Sequence, residues 1–538
     1  MKLRRSNIDR LRNGKFDVLV IGGGINGAVS AAALSAKGAR VALVDRGDFA
    51  GQTSSQSSNL AWGGIKYLEG REFRLVNKLC KSRNQLVDAY PSTVKEIRFL
   101  ATVEKGFRFP PFFIYMGSLL YWVMGRFATK APRWFSTEAL GAREEAIDVS
   151  DARAGIEYSD CYLYDNDARF VFNFVRSALN YGAAAANYVA CTSLRRDDSG
   201  WHAELEDRQS GERFELNATT VINAGGPGAD TLNDNADIDT EHRHVFSKGI
   251  HLIVDRVTKT RRILAFFASD GRLFFVMPMG PKTCIGTTDT RVDDPHTGVT
   301  DEDRDFVLAN ANEMLNLPHK LTKDDIIAER CGVRPLAVQG QDAGDDWVTL
   351  SRKHIVEVDK AAQHVSIFGG KITDCINVGD EIAQTIQGLG VELPHADRRW
   401  YGEPSKSVFE EFMHQAELMS LEQYRHPIAS EPLARRFWRR YGARAFEILE
   451  TIRRDPDSTR PLIENAEYLR CEIEQAARDE MITELDDFLR RRSKITMVVR
   501  PNEVARSHGL REACEILFGD KAQEKLETYL QQLAAGER

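Results

Sequence analysis

The sequence predicts a mixed α/β domain, an antiparallel sheet laid over it, and an all-helical C-terminal domain. Three features carry this: a strand–glycine–helix–strand unit that opens the chain, short strands and turns between about residues 240 and 300, and the fading of strand patterning after about residue 395. The 538 residues are enough for several hydrophobic cores.

Residues 16–21 are short, apolar and β-branched, as a buried strand is. Glycines follow, then an alanine-rich helix over 25–37, ended by Gly38, and a second parallel strand over 41–44. A Ser/Thr-rich loop at 53–58 precedes Gly63 and Gly64. Residues 188–194 and 201–206 suit a hairpin, and 219–223 a buried strand ended by AGGPG. The strands at 251–254, 273–278 and 283–287 suggest an antiparallel sheet. Residues 365–368 return to the first domain, and the GGK that follows opens a helix through Ile386. Leu433, Phe437 and Tyr441 share a helix face, and the arginines at 435, 436, 439 and 440 read as its solvated side. The domains are thus 16–100, 150–235 and 330–392 for the first, 101–149 and 236–329 for the second, and 395–538 for the third.

Gly22-x-Gly24-x-x-Gly27 sits between strand and helix, the dinucleotide fingerprint of a Rossmann-like domain. The first glycine permits the turn, the second lets a pyrophosphate approach the backbone, and the third lets helix and strand close together. Asp45 ends the second strand, where a carboxylate accepts from a ribose hydroxyl. A nicotinamide enzyme needs no more than this. Here a second Gly-Gly element, Phe368-Gly369-Gly370-Lys371-Ile372-Thr373, opens a helix that can stabilise negative charge on a reduced flavin, which favours FAD.

The net charge of -7 offers no basic field for nucleic acid. Eight cysteines are scattered without a CxxC pair, so neither a metal site nor a redox dithiol is expected, and a reducing compartment suits them. The N-terminal residues are basic without an apolar core, so no signal peptide is expected, and no apolar run reaches spanning length. Residues 111–125, PFFIYMGSLLYWVMG, fit either a buried helix or an interfacial membrane contact.

The segments IGGGINGA (21–28), TSSQSSNLAWGGIKYLE (53–69), FRLV (73–76), GIEYSDCYLYDNDAR (155–169), KGIHLIV (248–254), IGTTDT (285–290), CGVRPL (331–336) and FGGKIT (368–373) resemble the quinone-linked, FAD-dependent glycerol-3-phosphate dehydrogenases. DFLRRRSKI (487–495) is similar to a motif of that family's C-terminal domain, so the resemblance spans nearly the whole chain. It implies FAD as cofactor, with Gly22, Gly24, Asn26, Gly27, Asp45, Ser54, Ser55, Ser58, Val189, Gly225, Gly370, Lys371, Ile372 and Thr373 around it. It also implies a phosphorylated polyol held by Lys66, Tyr67, Arg334, Arg352 and Lys371, with Arg334 and His251 as catalytic residues. Cations suit a phosphate dianion, and the ordinary pKa of histidine suits acceptance of an alcohol proton.

The sequence departs from the family's SSKLIHGGLRYLE in having Asn59 for lysine, Trp62 for histidine and Lys66 for arginine, and Asp374 and Cys375 follow FGGKIT. Three further readings stay open: a paralogue oxidising a related phosphorylated or acidic hydroxy compound, an amine-oxidase-like flavoenzyme using oxygen, and a non-enzymatic flavin-binding protein with a degenerate site, acting as a redox sensor or partner scaffold. The expected setting is the cytoplasmic face of a membrane, contacted peripherally, with a membrane quinone as electron acceptor and room for a homodimer.

Overall fold

The computed structural model describes residues 2–340 and 353–536. In the first sheet the strands run in the order Ile355–Asp359, His364–Phe368, Glu212–Asn223, Phe16–Ile21, Val41–Val44, Ala184–Ala186. All these pairings are parallel except that of the Ile355–Asp359 edge. Parallel strands must be covered on both faces, and alternate residues supply the two cores. Val18, Val20, Val41 and Leu43 pack under the helix Ile25–Ala36. Leu19, Ile21, Ala42 and Val44 pack on the other face against Trp201 and Leu205. Those two belong to the meander of Val189–Asp197 and Gly200–Asp207, which contains the expected hairpin. The basic N-terminal residues form a helix, Lys2–Asn13, that buries Ile8 and Leu11 in this second core, and Arg4 donates to Asp207 at 2.6 Å.

The second sheet runs Thr290–Val292, His242–Asp255, Lys282–Gly286, Leu273–Met279, Ile263–Phe267, Val94–Glu104, Ala152–Leu163, Leu60–Ala61, with Ala328–Gln339 on the flank of His242–Asp255. It is antiparallel apart from Ile263–Phe267 beside Val94–Glu104. The strands Val94–Glu104, Ala152–Leu163 and Ala328–Gln339 therefore lie here, although the segments 16–100, 150–235 and 330–392 read as the first domain. Which sheet a strand joins depends on a distant partner and not on its own residue pattern.

The C-terminal part is helical, and Leu433, Phe437 and Tyr441 pack into a core with Phe412 and Trp438. Its arginine run is not a solvated face: only Arg435 is exposed, while Arg436, Arg439 and Arg440 are buried. Arg436 meets Glu472 at 2.5 Å, Arg439 meets Asp165 at 2.5 Å, and Arg440 donates to the Arg492 carbonyl at 2.7 Å. Their partners come from distant segments, so the local charge run gives no sign of them. Arg490, in the same motif as Arg492, donates to the Glu329 carbonyl at 2.6 Å, which braces the strand Ala328–Gln339.

Candidate active site

The three fingerprint glycines are glycine for different reasons. Gly22 has φ +104°, and a Cβ there would sit 2.4 Å from the Ala224 carbonyl oxygen; one on Gly27 would sit 1.8 Å from that of Gly22. Both serve internal packing. A Cβ on Gly24 would meet only Ser54 Oγ, at 3.2 Å, so that position faces the space left for a ligand. Ser54 Oγ accepts from the N–H of Ile25, the first residue of the helix. Asp45 accepts from the N–H groups of Gly23 at 2.6 Å and Gly47 at 2.8 Å, and its enclosure raises its pKa to about 6. The Val189 N–H donates to the Asp45 carbonyl at 2.7 Å, and the Gly225 N–H to Asn223 at 3.1 Å, so Val189 is tied to the end of the second strand and Gly225 to the end of its own. Ser55 is buried in the serine loop and Ser58 half-buried.

The second glycine loop closes on the first. Asn26 Nδ2 donates to the Gly369 carbonyl at 2.9 Å, while its buried Oδ1 has no partner among the described residues and lies 3.0 Å from where a Cβ of Gly370 would be. Gly369 and Gly370 both have positive φ, +62° and +108°. An acceptor without a donor, between two glycine loops that a side chain would fill, fits a dinucleotide lying across both. Ile372–Asp374 is a short 3₁₀ turn, so the expected helix starts only at Cys375. Thr373 Oγ1 accepts from the Trp62 N–H at 3.1 Å.

The register of the second sheet builds the other half of the site. Ser247 stands opposite Arg334, Gly249 opposite Gly332, and His251 opposite Arg330. Alternate residues share a face, so the two arginines, Ser247 and His251 form one patch around two glycines. The Arg334 guanidinium crosses above Gly249, where a Cβ would sit 2.4 Å from Nη2, and it pairs with Asp289 at 3.4 Å. His251 is buried, and neither ring nitrogen has a hydrogen-bond partner among the described residues. Burial first, then Arg330 and Arg334, lower its pKa to about 3, so the ring is neutral.

Lys371 donates to Tyr67 OH at 2.8 Å with its ammonium 4.4 Å from that ring's centroid, and Trp62 lies 6.1 Å from Tyr67. Lys66 is exposed on the same turn, Ile65–Leu68. A Cβ on Gly369 would lie 3.8 Å from the Pro335 carbonyl, which puts the Lys371 loop beside the strand that carries Arg334. Arg352 lies outside the described residues. Asp374 turns away from this pocket: it accepts from Ser82 at 2.7 Å and Asn377 at 2.6 Å and lies 3.0 Å from His354 Nδ1.

Two buried clusters escape the motif reading. Asp160 accepts from Tyr121 OH at 2.5 Å and from the Gly63 N–H at 3.2 Å, beside Arg83, which fixes the glycine pair before Lys66. Arg330 reaches Asp167, Asn59 and the Ser55 carbonyl. Its position four residues before Arg334 on one strand is the only sequence signal for it.

Fold and site together define a flavin-dependent oxidoreductase. Residues 17–353 match the family described as FAD dependent oxidoreductase, and residues 363–508 match the C-terminal domain of alpha-glycerophosphate oxidase. The glycerol-3-phosphate dehydrogenase 2 of Mycobacterium tuberculosis is 31% identical over 498 residues, covering 91% of this chain and 82% of that protein. The aerobic glycerol-3-phosphate dehydrogenase of Escherichia coli K12 is 28% identical, covering 91% and 96%. The glycerol-3-phosphate dehydrogenase of Bacillus halodurans, solved with FAD, superposes with a TM-score of 0.74 over 99% of this chain and 97% of that one, at 24% identity. The chain belongs to the FAD-dependent glycerol-3-phosphate dehydrogenase family, and FAD is its cofactor.

Proposed function

We propose that the chain oxidises sn-glycerol 3-phosphate to dihydroxyacetone phosphate and passes the electrons to a membrane quinone. The observation that carries this reading is a buried, neutral histidine without a partner among the described residues, on the same sheet face as Arg334, whose strand runs beside the loop that holds Lys371. Arg334, Lys371, Lys66, Tyr67 and Arg352 bind the phosphate, the guanidiniums as forks and the lysines as point charges. His251 accepts the hydroxyl proton. Its low pKa keeps the acceptor lone pair available across the neutral range, and the arriving dianion offsets the arginines and raises its proton affinity. Bound FAD supplies the two-electron acceptor for the hydride of the carbinol carbon. Gly22, Gly24, Gly27, Asn26, Asp45, Ser54, Ser55, Ser58, Val189, Gly225 and the 370–373 loop hold that cofactor.

Anaerobic mixing with glycerol 3-phosphate should bleach the flavin. Bleaching by a different phosphorylated or acidic hydroxy compound alone would replace this substrate with that one. Bleaching only by an amine would replace the reaction class.

A quinone resides in the bilayer, so its reductant must dock there. Among the described residues no helix is long and apolar enough to cross a membrane. The helix Pro111–Met124 instead exposes Phe112, Phe113, Met116, Leu120 and Val123 along one side, continued by Phe127 and Trp134. Arg126, Lys130 and Arg133 are exposed beside them. This surface is the proposed membrane contact, at the cytoplasmic face. Tyr121 is no part of it, because its ring is buried and bonded to Asp160.

A further inference from the structure

Arg330 is a fully buried arginine whose every described contact serves another part of the site. One nitrogen donates to Asn59 Oδ1 at 3.1 Å. A second donates to the Ser55 carbonyl at 2.7 Å and to both oxygens of Asp167 at 2.8 Å, while the buried Nε has no partner among the described residues. Asp167 in turn accepts from the Ser57 N–H at 2.8 Å. Asn59, in left-handed backbone at φ +58°, also donates to the Asp165 carbonyl at 2.7 Å. One guanidinium thus joins three separate pieces of chain: the serine loop whose Ser54 caps the fingerprint helix, the start of the helix Asp167–Asn180, and the strand Ala328–Gln339. On that strand it stands directly across the ladder from His251, where opposed Cβ atoms are about 4.5–5.5 Å apart.

We propose that Arg330 is a positioning residue of this active site, fixing the FAD-side serine loop and placing a permanent positive charge next to His251. The assignment rests on His251 taking the proton in the reaction proposed above. A nearby charge of like sign disfavours the imidazolium, and of the two charges that lower the His251 pKa after burial, Arg330 has the larger effect. It acts alongside Arg334 on the same strand, and the strand on the other side, Lys282–Gly286, sets only Gly286 directly opposite His251. Asp167 neutralises Arg330 and Asp289 pairs with Arg334, so losing Arg330 also leaves Asp167 uncompensated. Both changes favour a protonated His251.

The test compares Arg330→Met and Arg330→Lys with wild type in FAD affinity and in the pH dependence of kcat/KM at saturating FAD. Arg330→Met should bind FAD at least about tenfold more weakly, the loss of one or two contacts to a charged group. Its kcat/KM relative to wild type should fall several-fold as pH is lowered from about 7.5 to about 5, because His251 protonates earlier. Arg330→Lys keeps the charge but not the fork, so its ratio to wild type should stay level with pH while FAD affinity drops. Wild-type FAD affinity in both variants would overturn the proposal, as would a pH-independent ratio for Arg330→Met. If Arg330→Met fails to fold, Arg330→Lys decides: a ratio that falls with pH although the charge is kept would overturn it. FAD affinity needs no substrate, and bleaching of the wild type by glycerol 3-phosphate is scored separately, so failure of the substrate reading is told apart from failure of this one.

Discussion

Arg492 and Asp48 are joined by two hydrogen bonds, of 2.9 and 2.8 Å, across 444 residues of sequence, with both side chains buried. Asp48 follows the second strand of the nucleotide domain, and Arg492 ends the π-helical turn Asp487–Arg492 of the helical domain. Arg491 bonds the same carboxylate at 2.7 Å. Burial alone would raise the Asp48 pKa, but the two arginines outweigh it and hold it below the usual carboxylate range. Removing one partner of such a pair leaves a buried charge uncompensated, at about 3–5 kcal/mol. Asp48→Asn should therefore lower Tm clearly and weaken FAD retention, since Asp45 lies three residues away. An unchanged Tm by calorimetry would show that the helical domain is not held through this contact.

A second buried cluster adds to the chain's acid sensitivity. Burial would raise Glu480, but Arg169 at 2.6 Å and Arg176 at 2.8 Å hold it at about 2, below its usual 4.5. A carboxylate with a depressed folded pKa stabilises fully above its unfolded pKa and loses that contribution as pH falls toward the folded one. Stability should thus drop from about pH 4.5 towards about pH 2, and Glu480→Gln should be less stable at neutral pH with a flatter acid dependence. Urea unfolding at several pH values measures both slopes; parallel slopes would remove Glu480 from the account.

The fingerprint glycines should fail in two distinguishable ways. Gly24→Val adds bulk towards the ligand space at a position where a Cβ meets only Ser54 Oγ, so the protein should fold and be isolated without flavin. Gly27→Ala drives a methyl into the Gly22 carbonyl and should destabilise the apoprotein itself. Full flavin content in Gly24→Val would contradict the placement of the pyrophosphate.

These contrasts show what the residue pattern can and cannot reveal. The βαβ unit, the hairpin and the returning strand at 364–368 are legible because local periodicity and glycine spacing are short-range signals. The patch of Ser247, His251, Arg330 and Arg334 is legible only in part. Its two strands lie about 80 residues apart, and register sets which residues meet. Arg436, Arg439 and Arg440 mislead because a buried arginine and a solvated one look alike until Glu472 and Asp165 are placed beside them. Asp374 looks hostile to a phosphate in sequence, yet Ser82, Asn377 and His354 draw it out of the pocket.

Arg334→Ala tests the anion site. A hydrogen bond to a charged group contributes about 1.5–3 kcal/mol, so kcat/KM should fall about tenfold to a hundredfold or more, with a normal flavin spectrum. Asp289 loses its arginine partner in the same variant, so Asp289→Asn is the control for that effect. Equal losses in the two variants would assign Arg334 to holding Asp289 and not to substrate.

Lys66→Arg asks whether the pocket serves glycerol 3-phosphate. Lys66 is exposed on the Ile65–Leu68 turn, so a longer, forked side chain has room. A fork onto phosphate should preserve or raise turnover with this substrate. Wild type and variant that both leave the flavin oxidised under anaerobic conditions would count against it.

Membrane docking is tested best at the residues that face solvent. Phe112 and Phe113 are 59% and 64% exposed on the helix Pro111–Met124, while Tyr121 on the same helix is 2% exposed. Replacing Tyr121 would break its bond to Asp160 and disturb Gly63, so loss of binding there would say nothing about lipid. Phe112→Ser with Phe113→Ser removes two rings that touch little else and should leave FAD content and Tm as in wild type. Fully burying a phenylalanine side chain contributes about 1.5–3 kcal/mol, and each nearby basic residue about 1 kcal/mol at an anionic surface. Wild-type protein should therefore float with anionic liposomes, less with neutral ones, and the double variant should remain in the soluble fraction. Quinone reduction in liposomes should fall with flotation, while anaerobic flavin bleaching by the substrate stays unchanged, because the site itself is intact. A wild type that never floats, whatever the lipid, would exclude this surface as a membrane contact and direct the search to a soluble electron acceptor.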